Sequence, residues 1–511
     1  MSRDHNIFKK LGIPGPKPLP LLGNFYQQIS QGIFKFQVDM YNQYADSKVY
    51  GLFDAGTPML YVRDLDMIRD ICVKNFNSFV DHRTFDFPEP LDRMLTVIKG
   101  DAWKNVRATV SPAFSTVKLR RMFQYIIHNA RCLAQNLREK QESGEPVELK
   151  HMVSCFTMDV IASTGFGAQI NSLQNEENDF MKLSNRVMDR MKRIIFLTFF
   201  LPFLTKPLNK LGFGFLAKDE IDFFTSFVEE AMERRKEETE DGHSKRNDFL
   251  QLLMEADAES EDIPNDNMTQ FEALELNKRS QRKPLTKSEI QAQAIIFLMA
   301  GFNTVSTVLS FTFFLLAQNP ECCSRDLPYM DQVLNEAMRL YPPAFVIDRV
   351  CVEDTVVEKI HIPKGMNMVF PMYAIHHDPA IWVDPETFDP DRFSPEQKSD
   401  RHPYAHMPFG QYAIHHDPAI WVDPETFDPD RFSPEQKSDR HPYAHMPFGQ
   451  GPRSCVGMRL ALLEMKVALA TILQEMTPVI CSKTVLPLRL KFFQTEAEDG
   501  LWVKFTARKK S

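Results

Sequence analysis

What the chain lacks narrows its function first. Its eight cysteines, Cys72, Cys132, Cys155, Cys322, Cys323, Cys351, Cys455 and Cys481, include no C-x-x-C pair. That argues against a disulfide framework or a zinc site and for a reducing compartment. There is no surplus of positive charge: 60 Lys and Arg face 68 Asp and Glu, and the net charge of −8 gives no hint of nucleic acid as a partner. No dinucleotide or flavin fingerprint is present, so the sequence carries no mark of a nucleotide cofactor site of its own. Met1 to Gly12 holds no apolar run long enough for a signal peptide or an anchor. Apolar side chains, by contrast, are plentiful. Hydrophobic residues make up 43% of the chain and 41 residues are Phe, enough for a sizeable core and a greasy pocket. The 511 residues would allow two or three domains, yet large single-core enzymes reach this size.

The stretch that organises the rest is Phe448-Gly449-Gln450-Gly451-Pro452-Arg453-Ser454-Cys455-Val456-Gly457. It opens onto an apolar-periodic run from Met458 to about Met476 that predicts an amphipathic helix. Cys455 therefore precedes a helix N-terminus, where free N–H groups and the macrodipole favour a thiolate. Gly449, Gly451 and Gly457 permit a turn that lies flat against a large planar partner. Backbone amides can hydrogen-bond the sulfur, and Arg453 can bind an anionic edge. A thiolate so placed suits a haem iron and pushes electron density towards O–O cleavage.

Three further patterns accompany it. Ala300-Gly301-Phe302-Asn303-Thr304 lies mid-way along a run that starts at the capping box Thr286-Lys287-Ser288-Glu289 and stops at Asn319-Pro320. Lys287 to Gln318 predicts a rod of roughly 48 Å. Ile295–Ala317 carries no charge over 23 residues, but its Asn, Ser and Thr content favours a buried central helix over a membrane span. Ala300 and Thr304 share a face at i, i+4, and Gly301 leaves room for a bulge above a cofactor face. Glu336-Ala337-Met338-Arg339 gives an acid and a base at i, i+3. Trp103-Lys104-Asn105-Val106-Arg107 puts an indole N–H and a guanidinium on adjacent turns, both able to donate to a carboxylate.

Together F-x-x-G-x-R-x-C-x-G, A-G-x-x-T, E-x-x-R and W-x-x-x-R resemble the cytochrome P450 superfamily over nearly the whole chain. Phe8–Pro16, Met158–Ile161 and Asn335–Leu340 look most like its microsomal family-3 xenobiotic and steroid hydroxylases. Leu327–Asp331 and Tyr341–Phe345 also resemble thromboxane synthase. The resemblance implies a fold that is mainly α with a smaller β portion, with haem b between the long central helix and the Cys455 loop. Cys455 would be the axial ligand of the iron. Phe448, Gly449, Gly457, Trp103, Arg107, Arg349 and Arg453 would hold the cofactor, with His82 or Arg83 as further candidates. Thr304, Asn303 and Ala300 would serve oxygen activation. Phe85, Phe87, Phe302, Ala344, Phe345 and Leu501 would line the substrate pocket, by position only. Glu336 and Arg339 would form a buried network with a downstream arginine.

The match departs from the family at Asn303, where a carboxylate is usual, and at Val305, where a second threonine is usual. An amide orients water but cannot exchange a proton as an acid does, so slower or leakier oxygen activation is expected. The implied reaction inserts one oxygen atom from O2 into an apolar steroid, lipid or xenobiotic. Electrons would come from NADPH through NADPH-cytochrome P450 reductase, with cytochrome b5 as a second partner. A peroxide isomerase like thromboxane synthase, and an inactive haem protein, are the alternatives. The proline-rich lead-in at 1–23 begins where an anchor helix would end in microsomal relatives, which implies the cytosolic face of the endoplasmic reticulum membrane. Ile194–Leu204 would touch the membrane surface.

Along the chain, helices are expected at Phe25–Ala45, Lys118–Ser143, His151–Thr164, Asp179–Phe196 and Lys218–Glu238, and two strands within Lys48–Val62. Residues 259–284 read as a linker. Two irregularities interrupt a single domain spanning 1–511. Tyr373–Gln411 and Tyr412–Gln450 are identical over 39 residues in direct tandem. This provides two candidates for the network arginine. Arg431, 24 residues before Cys455, fits the family spacing better than Arg392, 63 before it. After Pro320 only Glu321–Pro328 intervenes before the E-x-x-R helix, where the family has further helical structure.

Overall fold

The structure, a computed structural model, describes residues 5–20, 22–54, 56–83, 87–175, 178–187, 190, 217–240, 248–255, 285–324, 329–382, 384–390, 443, 445–492 and 494–508. Phe85, Ile194–Leu204, the 259–284 linker, Arg392 and Arg431 lie outside the described residues.

The first expected helix is two: α1 (Phe25–Gln31) and α2 (Ile33–Gln43) break at Gly32, whose φ of +82° only glycine adopts freely. β1 (Val49–Asp54) and β2 (Thr57–Val62) are the two expected strands, and they pair antiparallel as a hairpin. Next come α3 (Gly100–Val110), which carries Trp103 and Arg107, and α4 (Thr116–Ser143). The short strand β3 (Val147–Glu148) leads into α5 (Leu149–Phe166), and α6 (Lys218–Glu240) follows. The long helix α7 runs Lys287–Gln318, with both halves of the Thr286/Glu289 capping box made. Then come α8 (Tyr329–Leu340), β4 (Ile347–Val350), β5 (Asn367–Phe370) and α9 (Met372–His376). After the Cys455 loop, α10 (Met458–Leu473) gives way to β6 (Met476–Val479), and β7 (Trp502–Ala507) closes the chain.

The strands order as β1-β2-β5-β4 in one sheet and β3-β7-β6 in another. β2 pairs with β5 in parallel, and β4 returns antiparallel with Arg349 opposite Met368, which fixes where that arginine leaves the sheet.

α7 is the spine. Every residue from Val305 to Ala317 is buried, and α4, α5, α8 and α10 share its core. It is long and apolar enough to cross a membrane, yet its apolar surface is spent on other helices. The close approach of α5 is written in glycine. A Cβ at Gly301 would lie 2.5 Å from Ile161 Cδ1, and one at Gly165 would lie 2.7 Å from the Phe297 ring. Gly301 thus serves helix packing. Just beyond α7, Cys322 and Cys323 are buried in a short turn at Pro320–Ser324, and the Tyr329 hydroxyl donates to Cys322 Sγ.

Candidate functional site

The Cys455 loop is shaped by two left-handed glycines, Gly449 at φ +68° and Gly451 at φ +73°. A Cβ at Gly451 would lie 2.2 Å from the Cys72 carbonyl oxygen, so no other residue fits. The Cys455 N–H donates to Phe448 O at 2.8 Å, which closes the turn. Phe448 itself is half-buried beside the core, and Gly457 caps α10 with an ordinary negative φ.

Cys455 is accessible, yet burial by surrounding protein pushes its thiol pKa up. The sulfur is therefore open to solvent yet set among enough protein atoms to hinder solvation of a thiolate. N–H groups of Gly457 and Met458 hydrogen-bond the sulfur, and Arg107 lies nearby; all three pull the pKa back towards the thiolate. On α7, Ala300 and Thr304 are accessible while Leu298, Phe302 and Val305 around them are buried. Thr304 Oγ1 donates to Ala300 O at 2.7 Å, so the hydroxyl is back-bonded with its lone pairs directed outward.

The cationic residues gather at one place and divide their work. Arg107 Nη1 donates to Ser454 O at 2.8 Å, next to the ligand cysteine. Arg453 stacks on the Trp103 ring, 4.2 Å from its centroid, and donates to the carbonyls of Val80, Leu95 and Ile98. It pins the Cys455 loop to the segment before α3 and has few donors left for an anion. Burial, then the neighbouring Arg349, push its pKa down to about 9. Arg349 is buried, donates to Asp348 O at 2.7 Å and keeps an Nε with no hydrogen-bond partner among the described residues. His82 shares a 3.2 Å contact with Asp348, whereas Arg83 turns away to Asp54 at 2.9 Å. Three crowded guanidinium groups, an orphaned buried Nε and an accessible thiol fit a planar group that offers a metal on its face and carboxylates on its edge. The residues fit haem b.

Behind this lies a fully buried ion pair. Arg339 Nε and Nη2 donate to the two oxygens of Glu336 at 2.8 and 2.7 Å, both side chains being 0% exposed. Its remaining N–H groups go to the carbonyls of His376, Pro385 and Thr387, and the Asp389 N–H donates to Glu336 Oε1. The backbone that meets this pair belongs to the first copy of the repeat. Arg431, the expected third member, lies outside the described residues.

Of the expected pocket residues, Phe87 and Phe345 are half-buried and Ala344 is exposed. Phe345 packs edge-on to Phe34 of α2. Phe302 and Leu501 are each 2% exposed and sit in the packed core. Phe302 O accepts from Thr157 of α5, and Leu501 borders a side cavity of about 180 Å3 with Thr307, Ser310 and Phe311. Neither position opens where Thr304 does.

One residue was missed by sequence reasoning. Lys150, at the start of α5, donates from Nζ to Asn303 Oδ1 at 3.0 Å, Ser306 Oγ at 2.8 Å and Thr307 Oγ1 at 2.8 Å. An ammonium thus stands beside the position where the family's carboxylate is absent. No periodicity links residues 153 apart in sequence; only the packing of α5 on α7 does.

The Cytochrome P450 family model matches residues 13–325, 322–411 and 411–497. Its breaks fall at the short turn after α7 and at the junction of the two copies. Cytochrome P450 3A11 of Mus musculus is 36% identical over 517 aligned residues, covering 96% of this chain and 90% of that protein. Cytochrome P450 3A7 of Homo sapiens is 33% identical with the same coverage. Cytochrome P450 3A13 of Mus musculus is 33% identical over 99% of this chain and 93% of its own. These relatives do not favour the isomerase alternative. Haem b as cofactor, a redox partner, a small-molecule substrate and the endoplasmic reticulum membrane follow from the same kinship. The chain belongs to the cytochrome P450 family of haem monooxygenases.

Proposed function

We propose that this chain hydroxylates apolar small molecules of the steroid, lipid or xenobiotic class, with haem b held between α7 and the Cys455 loop. The observation that carries this reading is the pairing of an accessible Cys455 with Ala300 and Thr304, the two exposed positions on a stretch of α7 that is otherwise buried or half-buried. Bound there, haem b supplies the oxygen-activating chemistry. Cys455 binds the iron through Sγ. Arg107 and Arg349 orient the carboxylate edge, and Trp103 carries the neighbouring Arg453 on its ring. Thr304 Oγ1, whose own proton goes to Ala300 O, offers lone pairs that accept from a proton donor close to the reacting face, and Ala300 keeps that face clear. Asn303, fixed by Lys150, orients the Thr304 turn but exchanges no proton itself. Phe87, Ala344 and Phe345 contribute to the apolar substrate space. Electrons arrive from NADPH through NADPH-cytochrome P450 reductase, with cytochrome b5 as a second donor, at the cytosolic face of the membrane. Ile194–Leu204 contacts the membrane surface.

The reduced, carbon-monoxide-bound spectrum tests the ligation. The unmodified chain is expected to give the strongly red-shifted Soret band of thiolate-ligated haem, and Cys455→His the band of neutral-ligand haem. A neutral-ligand band in the unmodified chain overturns the reading.

A further inference from the structure

The two 39-residue copies are identical, so the sequence offers two versions of every residue between Met372 and Gly451. The described residues draw on both copies, 373–382 and 384–390 from the first and 443 and 445–450 from the second. From the first copy, Tyr373 N donates to Phe345 O and Trp382 Nε1 to Ile375 O. Trp382 is 0% exposed, with the Arg339 guanidinium 4.7 Å from its ring centroid. From the second copy, His445 Nε2 lies 3.2 Å from Asn335 O on α8, and Met446 leads into the Gly449 turn and Cys455. The copies meet directly. Met446 N donates to His376 Nε2 at 3.4 Å, and the His376 and His445 rings lie 5.2 Å apart.

The flanks explain this division. Tyr373 follows Pro371-Met372, which start α9 and bury Met372 to 1% exposure. Tyr412 follows Gly410-Gln411, and a glutamine in place of Met372 would carry an unpartnered amide into that core. At the other end, only the second copy continues into Gly451, which the Cys72 carbonyl requires to be glycine.

We propose that the tandem copies build one composite module, in which the first copy supplies the seat for Glu336 and Arg339 and the second supplies the approach to Cys455. His376 of the first copy then acts as a positioning residue: its Nε2 holds the Met446 N–H and with it the start of the cysteine loop. The seat assignment rests on protein contacts alone; only the positioning role rests on the haem-thiolate reading.

The test exploits the identity of the copies. Trp382→Ala and Trp421→Ala remove the same side chain from the same local sequence. Each is made in the 511-residue chain, and Trp382→Ala also in the 472-residue chain that deletion of either copy produces (511 − 39). Thermal unfolding is the first readout. Trp382→Ala is expected to lower Tm in both chains by a similar amount, with Trp421→Ala leaving it unchanged. Equal effects in the long chain, or a larger effect of Trp421→Ala, overturn the assignment and return the seat, and Arg431 with it, to the second copy. Where alanine prevents folding, Trp382→Phe and Trp421→Phe give the same comparison. The second readout is the fraction of red-shifted Soret band in the reduced carbon-monoxide complex. His376→Leu should lower it and His376→Gln, which retains an acceptor, should restore it, while His415→Leu leaves it unchanged. Equal loss with Leu and Gln overturns the positioning role. Failure of the unmodified chain to show that band counts against haem-thiolate ligation and leaves the melting comparison intact.

Discussion

Glu464 shows how much one side chain can be asked to bear. It is 0% exposed on α10, and neither carboxylate oxygen has a hydrogen-bond partner among the described residues. Burial alone pushes its pKa well above the ordinary carboxylate range. The folded protein therefore retains a proton that the unfolded chain releases above pH ~4.5, and stability falls as pH rises through that window. Glu464→Gln should raise Tm at neutral pH, by a margin that grows from pH 5 to pH 8; a parallel pH dependence of the two proteins would rule this out. Asn303 is the other instructive residue. Lys150 already stands 3.0 Å from its Oδ1, so Asn303→Asp places a carboxylate against a waiting ammonium. More product per NADPH and less peroxide are expected, and unchanged values of both would sink the idea.

At the scale of elements, the contact between α5 and α7 decides where the catalytic turn sits. Gly301 abuts Ile161 while its neighbours Ala300 and Thr304 stay accessible, so the helix is pressed from one side and open on the other. Carbonyls on the pressed side accept from α5 side chains: Phe302 O from Thr157 and Asn303 O from Lys150. Gly301→Val would drive two methyl groups into Ile161 and should destabilise the protein by about 1–3 kcal/mol, as overpacked cores do. A chemical denaturation midpoint measures it, and adding Ile161→Ala should recover part of the loss. Recovery identifies the clash as the cause; β-branching alone would leave the double variant no better.

For the molecule as a whole, the buried Glu336–Arg339 pair ties α8 to the segment carrying His376 and Trp382. Removing either partner leaves a stranded charge, and Arg339→Ala should cost about 3–5 kcal/mol. Beside the pair sit His376 and His377, both buried. Burial first, then neighbouring charges, push His376 well below the usual range and His377 down to about 3. They stay neutral when folded and take up protons only on unfolding, so the unfolded state binds more protons below pH ~6.5. Stability should therefore fall as pH drops from about 6.5 towards 3, while Glu464 erodes it from the alkaline side. Tm against pH should be dome-shaped, and a flat acid limb would remove the histidines from the account.

Much of this was legible without coordinates. The capping box, the span of α7, strands β1 and β2 and the four signature strings are local patterns, set by helix-end hydrogen bonding, side-chain period and a chemistry that tolerates few residue types. Phe25–Ala45 was misread as one helix because a single Gly32 does not announce its φ, and the long α10 run was overextended because Met476 begins a strand whose partner, β7, lies in the last residues of the chain. What tertiary structure alone decided are relations between distant residues: Lys150 against Asn303, Arg453 stacked on Trp103, Gly301 against Ile161, and Glu464 enclosed without a partner among the described residues. The sequence determined which chemistry the chain carries, since a cysteine loop and its accompanying motifs are short-range and specific. Which copy of a perfect repeat fills the seat beside Arg339 is fixed only by packing, because identical sequences differ in nothing except what flanks them.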